Sequence, residues 1–160
     1  MRMSDKGLAV LKRLEGSRSG MYLDVAGLPT IGVGHLLTKD ERSSGKILIG
    51  TEWIKWSNGL TEEQITELLS QDILPVEMVV DAYGPPTLEQ HQFDALVSFT
   101  FNVGNSAFKR STLLRKINQG QFDKVPAQFR RWKYAGSKVV QGLVNRREVE
   151  IKMWNGEYVS

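Results

Sequence analysis

Apolar positions recur along this chain at helical spacing, except in one early stretch where they alternate. Leu8 and Leu11 fall on one face, flanked by Val10 and Leu14, and predict a first helix over residues 4–15. Steps of three and four carry that stripe from Leu8 through Leu11 to Glu15, so an acid is expected to continue the apolar face. A Gly- and Ser-rich stretch follows, and Asp24 then precedes Ala26-Gly27, a hairpin-turn signal. After Pro29 the chain alternates: Thr30, Gly32 and Gly34 share one strand face, and Ile31, Val33 and His35 the other. Thr30 is expected to present its hydroxyl on a face otherwise bare of side chains, with room for a substrate or a water.

The rest reads as helices. Thr61 with Gln64 is a capping-box signature. The helix after it is expected to bury Ile65, Leu68, Leu69, Asp72, Ile73 and Val76, with Pro75 ending or kinking it. A carboxylate in such a stripe needs a partner. Gly84-Pro85-Pro86 marks a break. From Leu88 to Val103 the chain is apolar nearly all round, as in a central helix. Gly104-Asn105 is a turn signal, and Ser111 is a candidate N-cap for a helix through Ile117. Trp132, Ile151, Met153 and Trp154 are expected in the core. The segment Trp53 to Trp56 fits hinge packing, a place in the β region, or an amphipathic surface. The pattern predicts an α+β, mostly α, fold in one domain over residues 1–160. A first helix takes about 4–15, a small β-containing lobe about 16–60 and a helical lobe about 61–160, with a cleft between lobes.

Composition narrows the chemistry. The 160 residues hold no cysteine and two histidines, so thiolate zinc sites are excluded and a metal cluster is unpersuasive. No apolar run is long enough to span a membrane, and the opening residues 1–7 lack a signal-peptide core. Net charge is +3 and uneven: nine Lys or Arg against eleven Asp or Glu in residues 1–80, twelve against seven in 81–160. Lys109, Arg110, Arg115, Lys116, Arg130, Arg131, Lys133, Lys138, Arg146 and Arg147 are read as a basic side that suits an anionic polymer. No nucleic-acid motif accompanies it.

Glu15 and Asp24 form the candidate chemistry. Partial burial and the negative end of a helix dipole would disfavour the Glu15 carboxylate form, as suits a general acid. Asp24, near turn amides and water, would stay ionised, to orient a water, act as nucleophile or stabilise a sugar cation. Two carboxylates in unlike environments are the usual equipment for hydrolysing a glycosidic bond.

The spacing Glu15, Asp24, Thr30, then Ile31-Gly32-Val33-Gly34-His35 resembles that of the phage-type lysozymes, which include many lambdoid phage endolysins. Ser111 to Asn118, Arg130-Arg131-Trp132 and Gly142 to Glu148 resemble lambdoid members over nearly the whole chain. The weaker match is 39–59. The resemblance implies a lysozyme-like two-lobe fold and a muramidase, with Glu15, Asp24 and Thr30 catalytic. It also implies that Leu36, Phe101, Asn102 and Ser111 approach the sugar, and that His35 pairs with Asp72. For Phe101 ordinary core stands as the alternative, and for Ser111 a simple N-cap.

By the same resemblance the partner is bacterial peptidoglycan; no cofactor is expected, and a monomer is expected, with no stable membrane anchor although some members of the family carry one. It would be made in the host cytoplasm and reach the wall after release by a holin. A lytic transglycosylase and a non-catalytic wall-binding protein are the rival readings; a nucleic-acid module is more distant.

Overall fold

A computed structural model describes residues 1–159. It divides into two compact units: Leu11–Asp72, and Met1–Val10 joined with the chain from Ile73 onward. Helix α1 (Asp5–Glu15) runs through the division.

In the unit Leu11–Asp72, α1 stops at Gly16, whose φ of 74° is the left-handed conformation of a helix C-cap and whose N–H donates to Lys12 O. Strands β1 (Arg18–Leu23), β2 (Pro29–Gly32) and β3 (His35–Leu36) then form an antiparallel sheet in that order. The single strand expected through His35 is instead a hairpin. Gly32 and Gly34 take φ of 65° and 68°, which turns the chain at Val33-Gly34 and sets Ile31 opposite His35. A short helix α2 (Lys39–Ser44) follows, closed at its N-terminus by a capping box between Thr38 and Glu41. The hairpin β4 (Lys46–Ile49) and β5 (Glu52–Lys55) turns through Gly50-Thr51.

Helix α3 (Glu62–Asp72) covers these elements, packing on β2, β3 and β4. Its buried Ile65, Leu68 and Leu69 meet Ile31, Val33, Ile47 and Ile49 in one core. Gln71 fastens the β4–β5 turn: its Oε1 accepts from Gly50 N at 2.6 Å and its Nε2 donates to Leu48 O at 3.1 Å. Asp72 is half-buried and not fully enclosed as its stripe suggested.

In the other unit, α4 (Leu74–Tyr83) starts where Pro75 fits, in the first helical turn where no N–H is needed. Val76 is half-buried. Helix α5 (Gln90–Val103) is the centre: Phe93 to Thr100 are all buried. Phe101, Val103 and Trp132 are half-buried, so the enclosed stretch is shorter than the apolar run. Helices α6 (Asn105–Lys109), α7 (Thr112–Asn118), α8 (Val125–Arg130) and α9 (Gln141–Trp154) complete the unit, with α9 packed along α5. Phe99 meets Phe129 and Trp132 edge-on at 5.4 and 5.3 Å. Where only helix was expected, β6 (Tyr134–Ala135) and β7 (Lys138–Val139) form an exposed hairpin about Gly136.

The first residues are stitched into this unit by buried acids. Glu77 accepts from Met3 N at 2.6 Å and from Arg2 Nε at 2.7 Å. Asp94 takes Ser4 N at 3.0 Å, Gln90 Nε2 at 2.9 Å, Tyr158 Oη at 2.7 Å and the Ser4 hydroxyl. Ser4 Oγ in turn caps α1 by accepting from Gly7 N at 3.1 Å.

Candidate active site

Glu15 is the last residue of α1, at the negative end of the helix dipole. Its side chain is exposed. The burial expected from the stripe is absent because Gly16 ends the helix one residue later, and the last turn clears the core that holds Leu11.

Asp24 sits between β1 and β2. Its Oδ1 accepts from the backbone N–H of both Ala26 and Leu28 at 2.9 Å, and its own N–H donates to Leu28 O at 2.9 Å. This is why an aspartate suits the turn: the side chain copies a backbone acceptor and holds the loop. One carboxylate oxygen is thus fixed by two amides, leaving Oδ2 with no hydrogen bond among the described residues.

Thr30 is the middle residue of the three-stranded sheet, opposite Tyr22 on β1 and Leu36 on β3. Directly opposed residues share a face, so its face is not bare: Tyr22 and Leu36 flank it. Thr30 is only 2% exposed, and its hydroxyl donates to Leu28 O at 2.9 Å. Leu28 therefore binds Asp24 through its N–H and Thr30 through its carbonyl. Leu36 is exposed, and Arg18 lies over the Tyr22 ring at 4.8 Å.

His35 lies between two carboxylates. Its Nδ1 is 2.8 Å from Asp72 Oδ2 and its Nε2 is 2.9 Å from Glu41 Oε1. Burial alone would lower the His35 pKa; the hydrogen bonds and charges of Asp72 and Glu41 outweigh it and raise it from 6.5 to about 9. The imidazolium ties α3 and α2 to β3. Glu41 was the member not foreseen, although Thr38-Lys-Asp-Glu41 carries the capping-box signature that places it.

The remaining candidates lie in the other unit. Phe101 is half-buried near the end of α5. Asn102 is exposed, and its Oδ1 accepts from Arg147 Nη2. Ser111 is the N-cap of α7: its hydroxyl donates to Phe108 O at 2.7 Å and accepts from Leu114 N at 3.0 Å. It also lines a cavity of about 510 Å³ with Arg110, Gln128, Arg131 and Trp132.

The basic side is smaller than the sequence suggested. Arg146 and Arg147 are buried, their Nε atoms each 3.1 Å from the wholly buried Glu150. Complete burial pushes the Glu150 carboxyl up, against Arg147, Arg146 and the Ser98 hydroxyl, which pull it down. Arg147 stacks on Phe99 at 5.1 Å. Arg130 is bidentate on Glu148, both bonds 3.0 Å. No described helix is long and apolar enough to cross a membrane.

Known proteins match this molecule in sequence and in fold. The model of the phage lysozyme family matches residues 12–150. The chain is 38% identical to the endolysin of Salmonella phage P22 over 136 residues, which are 85% of this chain and 86% of that protein. It is 40% identical to the SAR-endolysin of bacteriophage PS119 over 138 residues, 86% of this chain and 74% of the other. Among solved structures, a mutant P22 lysozyme superposes with a TM-score of 0.81 at 35% identity, covering 97% of this chain and 99% of that one. The muramidase domain of SpmX from Asticaccaulis excentricus gives 0.77 at 30% identity, covering 96% and 97%.

Proposed function

The chain belongs to the phage lysozyme family, and from that premise we propose that it is a phage endolysin with N-acetylmuramidase specificity. At the coarser level it is a lysozyme-type enzyme of the bacterial cell wall. The finer reading is cleavage of the β-1,4 bond between N-acetylmuramic acid and N-acetylglucosamine. Glu15, at the end of α1, protonates the leaving oxygen. Asp24 and Thr30 position the attacking water or stabilise the oxocarbenium-like transition state.

The observation that carries this reading is the shared hold on Leu28. A carboxylate pinned at one oxygen by two amides keeps the other in a set direction, and Leu28, which gives one of those amides, also anchors the Thr30 hydroxyl. Positioning of that kind lowers the barrier without new chemistry. Inversion at the anomeric carbon goes with a water held by Asp24 and Thr30; a first-formed product of retained β configuration would remove that part. Monomeric action and release to the wall through a holin complete the proposal.

Digestion of purified peptidoglycan by wild type and Glu15→Gln, with sugar ends identified by mass spectrometry, tests it. Reducing muramic ends from wild type alone support the muramidase. Anhydromuramic ends identify a transglycosylase, and intact glycan from both proteins leaves only wall binding.

A further inference from the structure

The β4–β5 hairpin turns two large apolar side chains into solvent. Leu48 and Trp53 are directly opposed across the hairpin and share its outer face, while Ile47 and Ile49 are buried on the inner one. Trp53 is 64% exposed and Leu48 41%. Together they line a cavity of about 500 Å³ whose other walls include Thr38, Asp40, Ser44 and Lys46.

The fold does not account for this arrangement. The neighbouring Trp56 is half-buried and its indole N–H donates to Glu41 O at 2.8 Å. The Glu41 carboxylate is used by His35 and by Thr38 N. In contrast, the Trp53 indole N–H, the Asp40 carboxylate and the Lys46 ammonium form no hydrogen bond or ion pair among the described residues. A flat apolar platform thus stands beside one free acceptor and one free donor.

We propose that the Leu48–Trp53 face is a binding platform for the uncharged N-acetylhexosamine strand of peptidoglycan, separate from the catalytic residues. It rests on the cell-wall reading above. A pyranose ring is amphipathic: its C–H face stacks on an indole, while its edge hydroxyl and acetamido groups donate hydrogen bonds to a carboxylate and accept them from a hydroxyl and an ammonium. The cavity has the size of an ordinary small-molecule site. Charge argues for this occupant. The unit Leu11–Asp72 carries seven Lys or Arg against nine Asp or Glu, a small acidic excess that disfavours anionic lipid and nucleic acid, whereas the sugar rings that would meet Trp53 are themselves uncharged. On a polymer, a second point of attachment raises the local concentration of cleavable bonds, whereas a short fragment gains nothing from it.

The test uses the full chain with Trp53→Ala and Trp53→Tyr. Affinity for purified sacculi is measured by co-sedimentation in a Glu15→Gln background, and cleavage of a short soluble peptidoglycan fragment in the wild-type background. The indole N–H resonance of Trp53 is followed by NMR on addition of an N-acetylglucosamine tetrasaccharide. The expected results are about tenfold weaker sacculus binding by Trp53→Ala, recovery by Trp53→Tyr, unchanged cleavage of the fragment, and a shifted Trp53 resonance. Unchanged sacculus binding by Trp53→Ala overturns the proposal. So does an equal loss on the short fragment, or a Trp53 resonance that moves with phosphatidylglycerol vesicles and not with the sugar. Trp53-dependent binding in a protein whose wild type releases no muramic ends would sustain the platform and remove the hydrolase.

Discussion

Asp24 and Thr30 are joined through one residue: Leu28 donates its N–H to the Asp24 carboxylate and accepts the Thr30 hydroxyl on its carbonyl. Neither side chain can shift without moving the loop that holds the other. Thr30→Val keeps the shape of the side chain and removes this link. The Leu28 carbonyl still accepts from Asp24 N, so the stability loss is about 1 kcal/mol. Peptidoglycan hydrolysis is expected to fall about 100-fold, because the defect is one of positioning. Thr30→Ser, which keeps the hydroxyl, recovers most of the rate. Urea unfolding and turnover on one substrate preparation separate the two effects.

His35 binds its proton more tightly in the folded state than in the unfolded chain. Its contribution to stability is therefore complete below pH 6.5 and is lost as pH rises through about 9. The loss is expected to be about 2 kcal/mol once solvent screening of a partly buried site is allowed for. Urea unfolding across that range should show the decline in wild type and its absence in His35→Gln, and an NMR titration of the imidazole should give a midpoint near 9.

Glu150 lies between two buried guanidinium groups. Glu150→Ala removes the buried carboxylate that Arg146 and Arg147 share, at a cost of about 3–5 kcal/mol. Arg147→Met is expected to act differently: it removes a cation from the cluster and also frees Asn102. Its stability loss should be smaller than that of Glu150→Ala, with a raised KM if Asn102 meets the sugar. Calorimetry and steady-state kinetics on both variants check this.

Two helical glycines should respond to alanine with opposite signs. A Cβ on Gly142 in α9 meets nothing within 4 Å, so Gly142→Ala gains up to about 1 kcal/mol of helix propensity. A Cβ on Gly7 in α1 lands 2.7 Å from the Asp94 carboxyl and 2.9 Å from Met3 Cγ. Asp94 cannot withdraw, because Ser4, Gln90 and Tyr158 hold it. Gly7→Ala is therefore expected to lower the melting temperature. It should also disturb Tyr158, whose pKa, pushed up to about 12 by burial and by Asp94, is read from its ultraviolet titration.

What could be read beforehand depended on how far apart the partners lie in the chain. The helices α1, α3 and α5 follow from local periodicity, and Asp24 as a turn acid follows from its Gly neighbour. Residues whose role depends on distant partners were not legible. Glu77 and Asp94 bind Arg2, Met3 and Ser4 across 74 to 90 positions, and Ser98 meets Glu150 across 52. Periodicity also misjudged places where a glycine intervenes. Gly16 ends α1 before the stripe can bury Glu15, and Gly32 and Gly34 fold one expected strand into two. Arg146 and Arg147 look like surface charge until α9 is laid on α5.

The unit Leu11–Asp72 is continuous in the chain, whereas the other unit needs both Met1–Val10 and helix α9. On the ribosome, Glu15, Asp24 and Thr30 can reach their local geometry while more than half the chain is still to be made. The first residues must wait for Glu77 and Asp94, and Asp94 in turn for Tyr158. The order of synthesis thus leaves the unit that holds Met1–Val10 open until α9 emerges to pack on α5.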